Sequence, residues 1–199
     1  MLISDASRTD KTNFVSDKYI QINSCGFQRA KFEIMQYRKN GRVDYQFIFV
    51  IKAPFQALHN GEWHELSEGN FIIYAPGEEQ KYYFKKGTEI MWCHFTGSAI
   101  EQLLSQAGLS SGVYQIPYIK KLHDAFSALI RKHNDNSLIL FENASLLELM
   151  GISSEIIRKA PENERLISAI NYINRNYFKK ISLDTLSKIS GYSKSRFSH

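Results

Sequence analysis

Between about residues 19 and 97, short runs of apolar and β-branched residues alternate with turn residues. Residues 32–38 predict a strand, and Lys39-Asn40-Gly41 a hairpin turn after it, because Asn-Gly takes positive φ at little cost. Residues 43–52, VDYQFIFVIK, are dense in aromatic and β-branched side chains and predict the next strand. Residues 55–59 and 62–66 flank a second Asn-Gly pair, Asn60-Gly61. Glu68-Gly69-Asn70 leads into residues 71–74, Pro76-Gly77 turns the chain into 81–84, and Lys86-Gly87 turns it into 90–95. Short strands at this spacing predict an antiparallel sandwich or barrel. No G-x-G-x-x-G, P-loop or βαβ rhythm occurs, which argues against a nucleotide-binding α/β fold.

After Gly97 the apolar period lengthens to that of helices. Residues 98–107 predict a short helix ended by Gly108, and residues 119–133 a second with Leu122, Phe126, Leu129 and Ile130 on one face. A third, from Ser137 to about Arg158, carries apolar residues most of the way round. One stripe would suffice to pack on a barrel. The wider distribution fits burial within the chain or a second subunit, and Leu140, Leu147 and Met150 are the candidate dimer contacts. Ala160-Pro161-Glu162-Asn163 is expected to end that helix as a linker. Beyond it, Leu166, Ile170, Ile173 and Tyr177 mark one helix face. Ser182 is placed to cap a helix with Leu183, Leu186 and Ile189 inward, Gly191 breaks it, and Ser193 caps a last helix over 194–199 with Phe197 inward. Helix, glycine-containing turn, helix is the pattern of a helix-turn-helix unit. The chain stops within the would-be recognition helix, so it reads as a truncated piece.

Charge sharpens this division. Residues 1–163 balance 18 Lys and Arg against 18 Asp and Glu, so the last 36 residues supply the whole +5. Of 26 aromatic residues, 17 fall in the first 100. A neutral, aromatic-rich body thus precedes a short basic element that suits a polyanion. At 43% hydrophobic and 23% charged residues, the chain can bury a core. No run reaches membrane-spanning length, no secretory leader is visible, and Cys25 and Cys93 are too few for a disulfide framework. Reduced thiols in a cytoplasmic protein are expected.

Five pieces in this order resemble the AraC-type family of bacterial transcription regulators. They are INSCGFQ at 22–28, R-x-N-G-R-x-DYQ-x-IFV at 38–50, L-x-x-GNFIIYAPGEEQ-x-Y at 66–82, W-x-HFTG at 92–97 and ISLDTLSKISGYSKSRFSH at 181–199. The resemblance implies an α+β chain: an antiparallel cupin-like β-barrel that binds an effector (1–112), a helical dimerisation region (113–160) and the first, incomplete helix-turn-helix unit of a DNA-binding domain (161–199). The second helix-turn-helix of the family is missing from the sequence.

The family's effector site lies inside the barrel. Carried over by motif, Arg38 precedes the first turn, Tyr82 follows PGEEQ, Trp92 lies on the last barrel strand, and His94 shares its face. Aromatic faces stack on the C–H face of a sugar, and a guanidinium donates to hydroxyls or a carboxylate. Each also has a plain reading: Trp92 and His94 as core, Arg38 paired with Asp44 or another carboxylate. For DNA, Ser195, Ser198 and His199 would reach base edges, and Lys194 and Arg196 phosphates.

Cupin-like barrels often hold a metal, yet no His-x-His occurs. His59 and His64 flank a turn with Glu65 beside them, which favours a solvated turn over a ligand set. Cys93 and His94, being adjacent, point to opposite strand faces. No catalytic residue, metal or cofactor is therefore expected. The sequence predicts an effector-responsive, DNA-binding, homodimeric regulator sensing a sugar or related small molecule. The rival is a cupin-type metal-dependent isomerase or oxygenase with a helical extension.

Overall fold

The computed structural model describes residues 18–116, 120–135, 137–176, 179 and 181–190. Among the described residues nine strands form: β1 (Gln21–Arg29), β2 (Ile34–Arg38), β3 (Tyr45–Lys52), β4 (Phe55–His59), β5 (Glu62–Leu66), β6 (Phe71–Tyr74), β7 (Gln80–Phe84), β8 (Glu89–Thr96) and β9 (Gly112–Tyr114). They make two antiparallel sheets, ordered β1-β8-β3-β6-β9 and β2-β7-β4-β5. The expected cupin-like β body with helices after it is what the chain builds.

Only one of the predicted turns joins strands that pair with each other. Asn60 and Gly61 take φ of 51° and 80°, and β4 and β5 pair through them as a tight hairpin. Lys39-Asn40-Gly41 also turns, with the Gly41 N–H donating to the Arg38 carbonyl at 3.1 Å. It is not a hairpin, however: β2 pairs with β7, whereas β3 pairs with β6 and β8 in the other sheet. Pro76-Gly77 and Lys86-Gly87 likewise carry the chain between sheets. The chain alternates sheets so that each strand buries a face against the opposite layer.

The inner faces meet in one core. Ile48, Val50, Ile72, Tyr74 and Ile90 from the five-stranded sheet pack with Phe55, Ala57, Leu66, Tyr82 and Phe84 from the four-stranded one. The five-stranded sheet is also covered outside. α1 (Ile100–Gln106) follows β8, and α2 (Lys120–Asn134) sets Phe126 against Phe47 and Phe49, with ring centroids 5.4 and 6.2 Å apart. β3 is therefore buried on both faces, which is why its sequence is a continuous apolar run rather than an alternation. Leu122, Phe126 and Leu129 point inward as their spacing predicts.

The third helix, α3, runs from Ile139 to Asn176. Pro161 therefore does not end it. An internal proline removes one hydrogen bond and crowds the carbonyl four residues earlier, a cost a helix absorbs when its flanking turns keep their own bonds. Leu146, Leu149, Met150 and Ile152 are buried, while Leu138, Ile139, Leu140, Phe141 and Leu147 are exposed. α4 (Leu183–Ser190) is capped as expected, the Thr185 N–H donating to Ser182 Oγ at 3.2 Å. Leu186 is buried, but Leu183, in the opening turn, is exposed rather than inward. The chain divides into two compact units between Ser154 and Glu155. No helix among the described residues is long and apolar enough to cross a membrane.

Candidate effector site in the barrel

Strand alternation decides which side chains enter the barrel. On β3 the inward phase is Gln46, Ile48, Val50, and on β8 it is Ile90, Trp92, His94. On β7 it is Gln80, Tyr82, Phe84, and on β2 Ile34, Gln36, Arg38. Each strand thus begins or ends its apolar phase with a polar residue. Register then aligns them. Ser24, His94, Gln46 and Tyr74 form one row across β1, β8, β3 and β6. Arg38 and Gln80 face each other across β2 and β7.

Arg38 Nη1 donates to Gln80 Oε1 and to the Tyr82 hydroxyl, both at 3.2 Å. It does not pair with Asp44. That carboxylate belongs to Arg42, whose Nε lies 2.6 Å from Oδ1 and Nη2 3.2 Å from Oδ2, both side chains fully buried. Asn23 Nδ2 donates to Asp44 Oδ2 at 3.0 Å, completing a satisfied network. A charge this deep must be paired, and the fork geometry of arginine does it with two bonds.

His94 Nδ1 sits 3.0 Å from Ser24 Oγ. Burial chiefly, then the positive charges of Arg42 and Arg38, push its pKa down to about 3 against an opposing pull from Asp44. The ring is neutral at physiological pH, and Nε2 is buried without a partner among the described residues. Two more inward atoms are in the same condition: Gln46 Oε1 and Gln80 Nε2. The Trp92 ring lies 4.8 Å from the His94 ring and packs on the edge of the core cluster. Opposite Trp92 on β1 is Gly26, where a Cβ would meet Trp92 Cζ2 at 3.1 Å, so glycine makes room for the indole.

All four residues expected from sequence thus line the same interior. Arg38 bonds Tyr82, the Trp92 ring packs tilted against His94, and the Tyr74 ring lies 6.5 Å from the Tyr82 ring, joining the two sheets. Ser24, Gln46 and Gln80 were not anticipated: a polar residue in an apolar phase is visible in the sequence, but the neighbours it meets are not. The barrel end near the Asn60-Gly61 turn is tied by Glu78. Its Oε1 lies 2.7 Å from His59 Nδ1, and its Oε2 accepts from the Ala75 N–H and the Ser111 hydroxyl. The His59 and His64 rings are 6.5 Å apart, and among the described residues no three His, Cys, Asp or Glu group to hold a metal.

Of the three dimerisation candidates, Leu140 and Leu147 are exposed, whereas Met150 is buried within its own chain and offers no surface. Met150 follows Leu149 and Leu146 on the inward face of α3. Lys194, Ser195, Arg196, Ser198 and His199 lie outside the described residues, as do Gly191, Ser193 and Phe197.

No curated protein matches the chain. Among solved structures it is similar to ToxT from Vibrio cholerae O395, bound to (E)-4-(8-methylnaphthalen-1-yl)but-3-enoic acid. The two are 11% identical, with 91% of this chain and 93% of that one covered and a TM-score of 0.41. It is also similar to the cupin domain of an XRE family transcriptional regulator from Enterobacter cloacae (10% identity, 38% and 92% covered, TM-score 0.28). A third is an HTH_3 family transcriptional regulator from Vibrio cholerae (16% identity, 39% and 44% covered, TM-score 0.29). The assignment rests instead on the family model of the AraC-like ligand binding domain, which matches residues 28–150, more than half of the chain. The chain belongs to the AraC-like ligand binding domain family and is an AraC-type regulator with a cupin-like sensing domain.

Proposed function

We propose that this chain senses a sugar or a related small molecule in its barrel and passes the signal to a DNA-binding domain that begins near residue 161. The observation that carries the reading is the inner face itself. Three buried polar atoms without partners lie beside an indole and a guanidinium. Leaving a buried donor or acceptor unmade costs about 1–3 kcal/mol each, so a ligand that met these atoms would recover that cost. A thermal-shift screen of a sugar and metabolite panel tests it. At least one compound raises the melting temperature of the parent chain and fails to raise that of Trp92→Ala. If no compound shifts the parent, the sensing reading falls.

The regulator works as a cytoplasmic homodimer through the exposed apolar stretch at the start of α3, where Leu140 and Leu147 would meet a partner copy (Leu140 75% and Leu147 40% exposed). Residues 113–160 carry this contact, and effector binding alters how two DNA-binding domains span their half-sites. Sedimentation gives a dimer at micromolar protein, and Leu147→Asp gives monomer; a monomeric parent overturns the claim. On DNA, Lys194 and Arg196 hold phosphates, while Ser195, Ser198 and His199 reach base edges. In the full-length regulator Arg196→Ala weakens all sequences alike, whereas Ser195→Ala changes sequence preference.

A further inference from the structure

Arg38 is held on one side only. Nη1 serves Gln80 and Tyr82, whereas Nε and Nη2 have no partner among the described residues. No carboxylate pairs with this guanidinium among the described residues: Asp44 is taken by Arg42, and Glu78 by His59, Ala75 and Ser111. The Nε–Nη2 edge is the one that grips a carboxylate with two parallel bonds. Around it lie Gln46, Gln80, Tyr82, Trp92 and His94. The charges of Arg42 and Asp44 also reach this wall but are paired with each other, so no carboxylate among the described residues neutralises the half-buried Arg38.

Resting on the sensing reading above, we infer that the effector is a small polyhydroxylated carboxylate, a sugar acid rather than a neutral sugar. Its carboxylate takes the open edge of Arg38, and its hydroxyls meet the bare Gln46 Oε1, Gln80 Nε2 and His94 Nε2. Its C–H face lies on the Trp92 indole. Hydroxyls suit these three atoms because each both donates and accepts, and the bare set contains an acceptor, a donor and an imidazole nitrogen whose role follows its tautomer. An alkyl carboxylate would satisfy Arg38 but would seal all three polar atoms against hydrocarbon, a loss repeated three times over. A neutral sugar would satisfy the three atoms but leave the arginine desolvated without a counter-charge.

Titration calorimetry on the full chain separates these ligands, with D-galacturonate, D-glucuronate and D-gluconate set against D-galactose, D-glucose, sorbitol and decanoate. At least one sugar acid binds ten-fold or more tightly than its neutral counterpart. In Arg38→Gln, which keeps a donor toward Gln80 and Tyr82, that preference falls below three-fold. The comparison of matched ligands on the parent chain stands even if the variant folds poorly. If a neutral sugar binds as tightly as its acid, the carboxylate inference is overturned while the sensing reading survives. Decanoate binding where no sugar acid does overturns it as well, again leaving sensing intact. If none of the seven binds, this inference is overturned, and the wider thermal-shift panel decides the sensing reading separately.

Discussion

The five-stranded sheet buries both its faces, but it treats them differently. Outside, Phe47, Phe49, Cys93 and Phe95 are fully buried, and Phe47 and Phe49 pack against Phe126 of α2. Inside, the same strands end their apolar run in Gln46 and His94, each with a bare polar atom. The outer face is built mainly for cohesion: its contacts are apolar except where Ser127 Oγ donates to Met91 Sδ, and Phe27 at its edge is half-exposed. The inner face gives up some of that cohesion at one end, and the unmet hydrogen bonds sit next to Arg38 and Trp92. Strand alternation makes this division possible: one residue's shift along a strand moves a side chain from scaffold to site.

The largest effect is expected from damage to the outer face. Phe126→Ala removes a fully buried ring from between two others, and should cost about 3–5 kcal/mol in chemical denaturation. The two thiols on this face report the same event. Burial pushes the Cys25 thiol up to about 12 and Cys93 well above its usual range, so neither is ionised at neutral pH in the folded chain. Alkylation then requires opening. A loss of 3 kcal/mol should speed the labelling of Cys93 by about a hundred-fold in Phe126→Ala. An unchanged labelling rate together with an unchanged denaturation midpoint would contradict the outer face as the main source of cohesion.

The inner face should instead be broken by acid. In the unfolded chain His94 titrates near 6.5, and in the fold near 3. Between these values the unfolded state binds a proton that the folded state refuses. Stability is therefore undiminished above about pH 6.5 and falls as the pH drops toward 3, by up to about 1.4 kcal/mol per pH unit from this group. Parent and His94→Gln denaturation curves should run parallel above pH 7 and separate below 6, the parent losing stability faster. Curves parallel down to pH 4.5 would mean that the ring is not held neutral by its surroundings.

Much of this division was legible in the sequence, and its limits have physical causes. Turn residues marked the strands, and the runs at 43–52 and 90–95 marked those buried on both sides. The resemblance placed Arg38, Tyr82, Trp92 and His94, and all four line one interior. What local chemistry could not say was which strands pair. A glycine turn that closes a hairpin and one that crosses between sheets need the same backbone, and only the β4–β5 turn closed one. Asp44 stood near both Arg38 and Arg42 in sequence, but Arg38 lies on β2 in the other sheet, while the Arg42 fork closes over both Asp44 oxygens. Pro161 was over-read because proline's preference acts on one turn, while α3 draws on many. Ser24, Gln46 and Gln80 were hidden for a different reason: a polar residue in an apolar phase shows its meaning only when the register reveals its neighbours.

The smallest predicted effect is also the most specific to the inner face. Gly26 is opposite Trp92, and a methyl there would stand 3.1 Å from the indole Cζ2. Its φ lies outside the left-handed region, so the added methyl is opposed by the indole and not by the backbone. The ring is at the edge of the core rather than locked within it, so it can yield by a few tenths of an ångström. Gly26→Ala should then cost only about 1 kcal/mol, the low end of overpacking. Because Trp92 would tilt toward the space proposed for the effector, ligand affinity should fall by more than stability does. Tryptophan fluorescence of the free variant should shift while its denaturation midpoint hardly moves. A large loss of stability with normal ligand affinity would place the indole in the scaffold and take it out of the site.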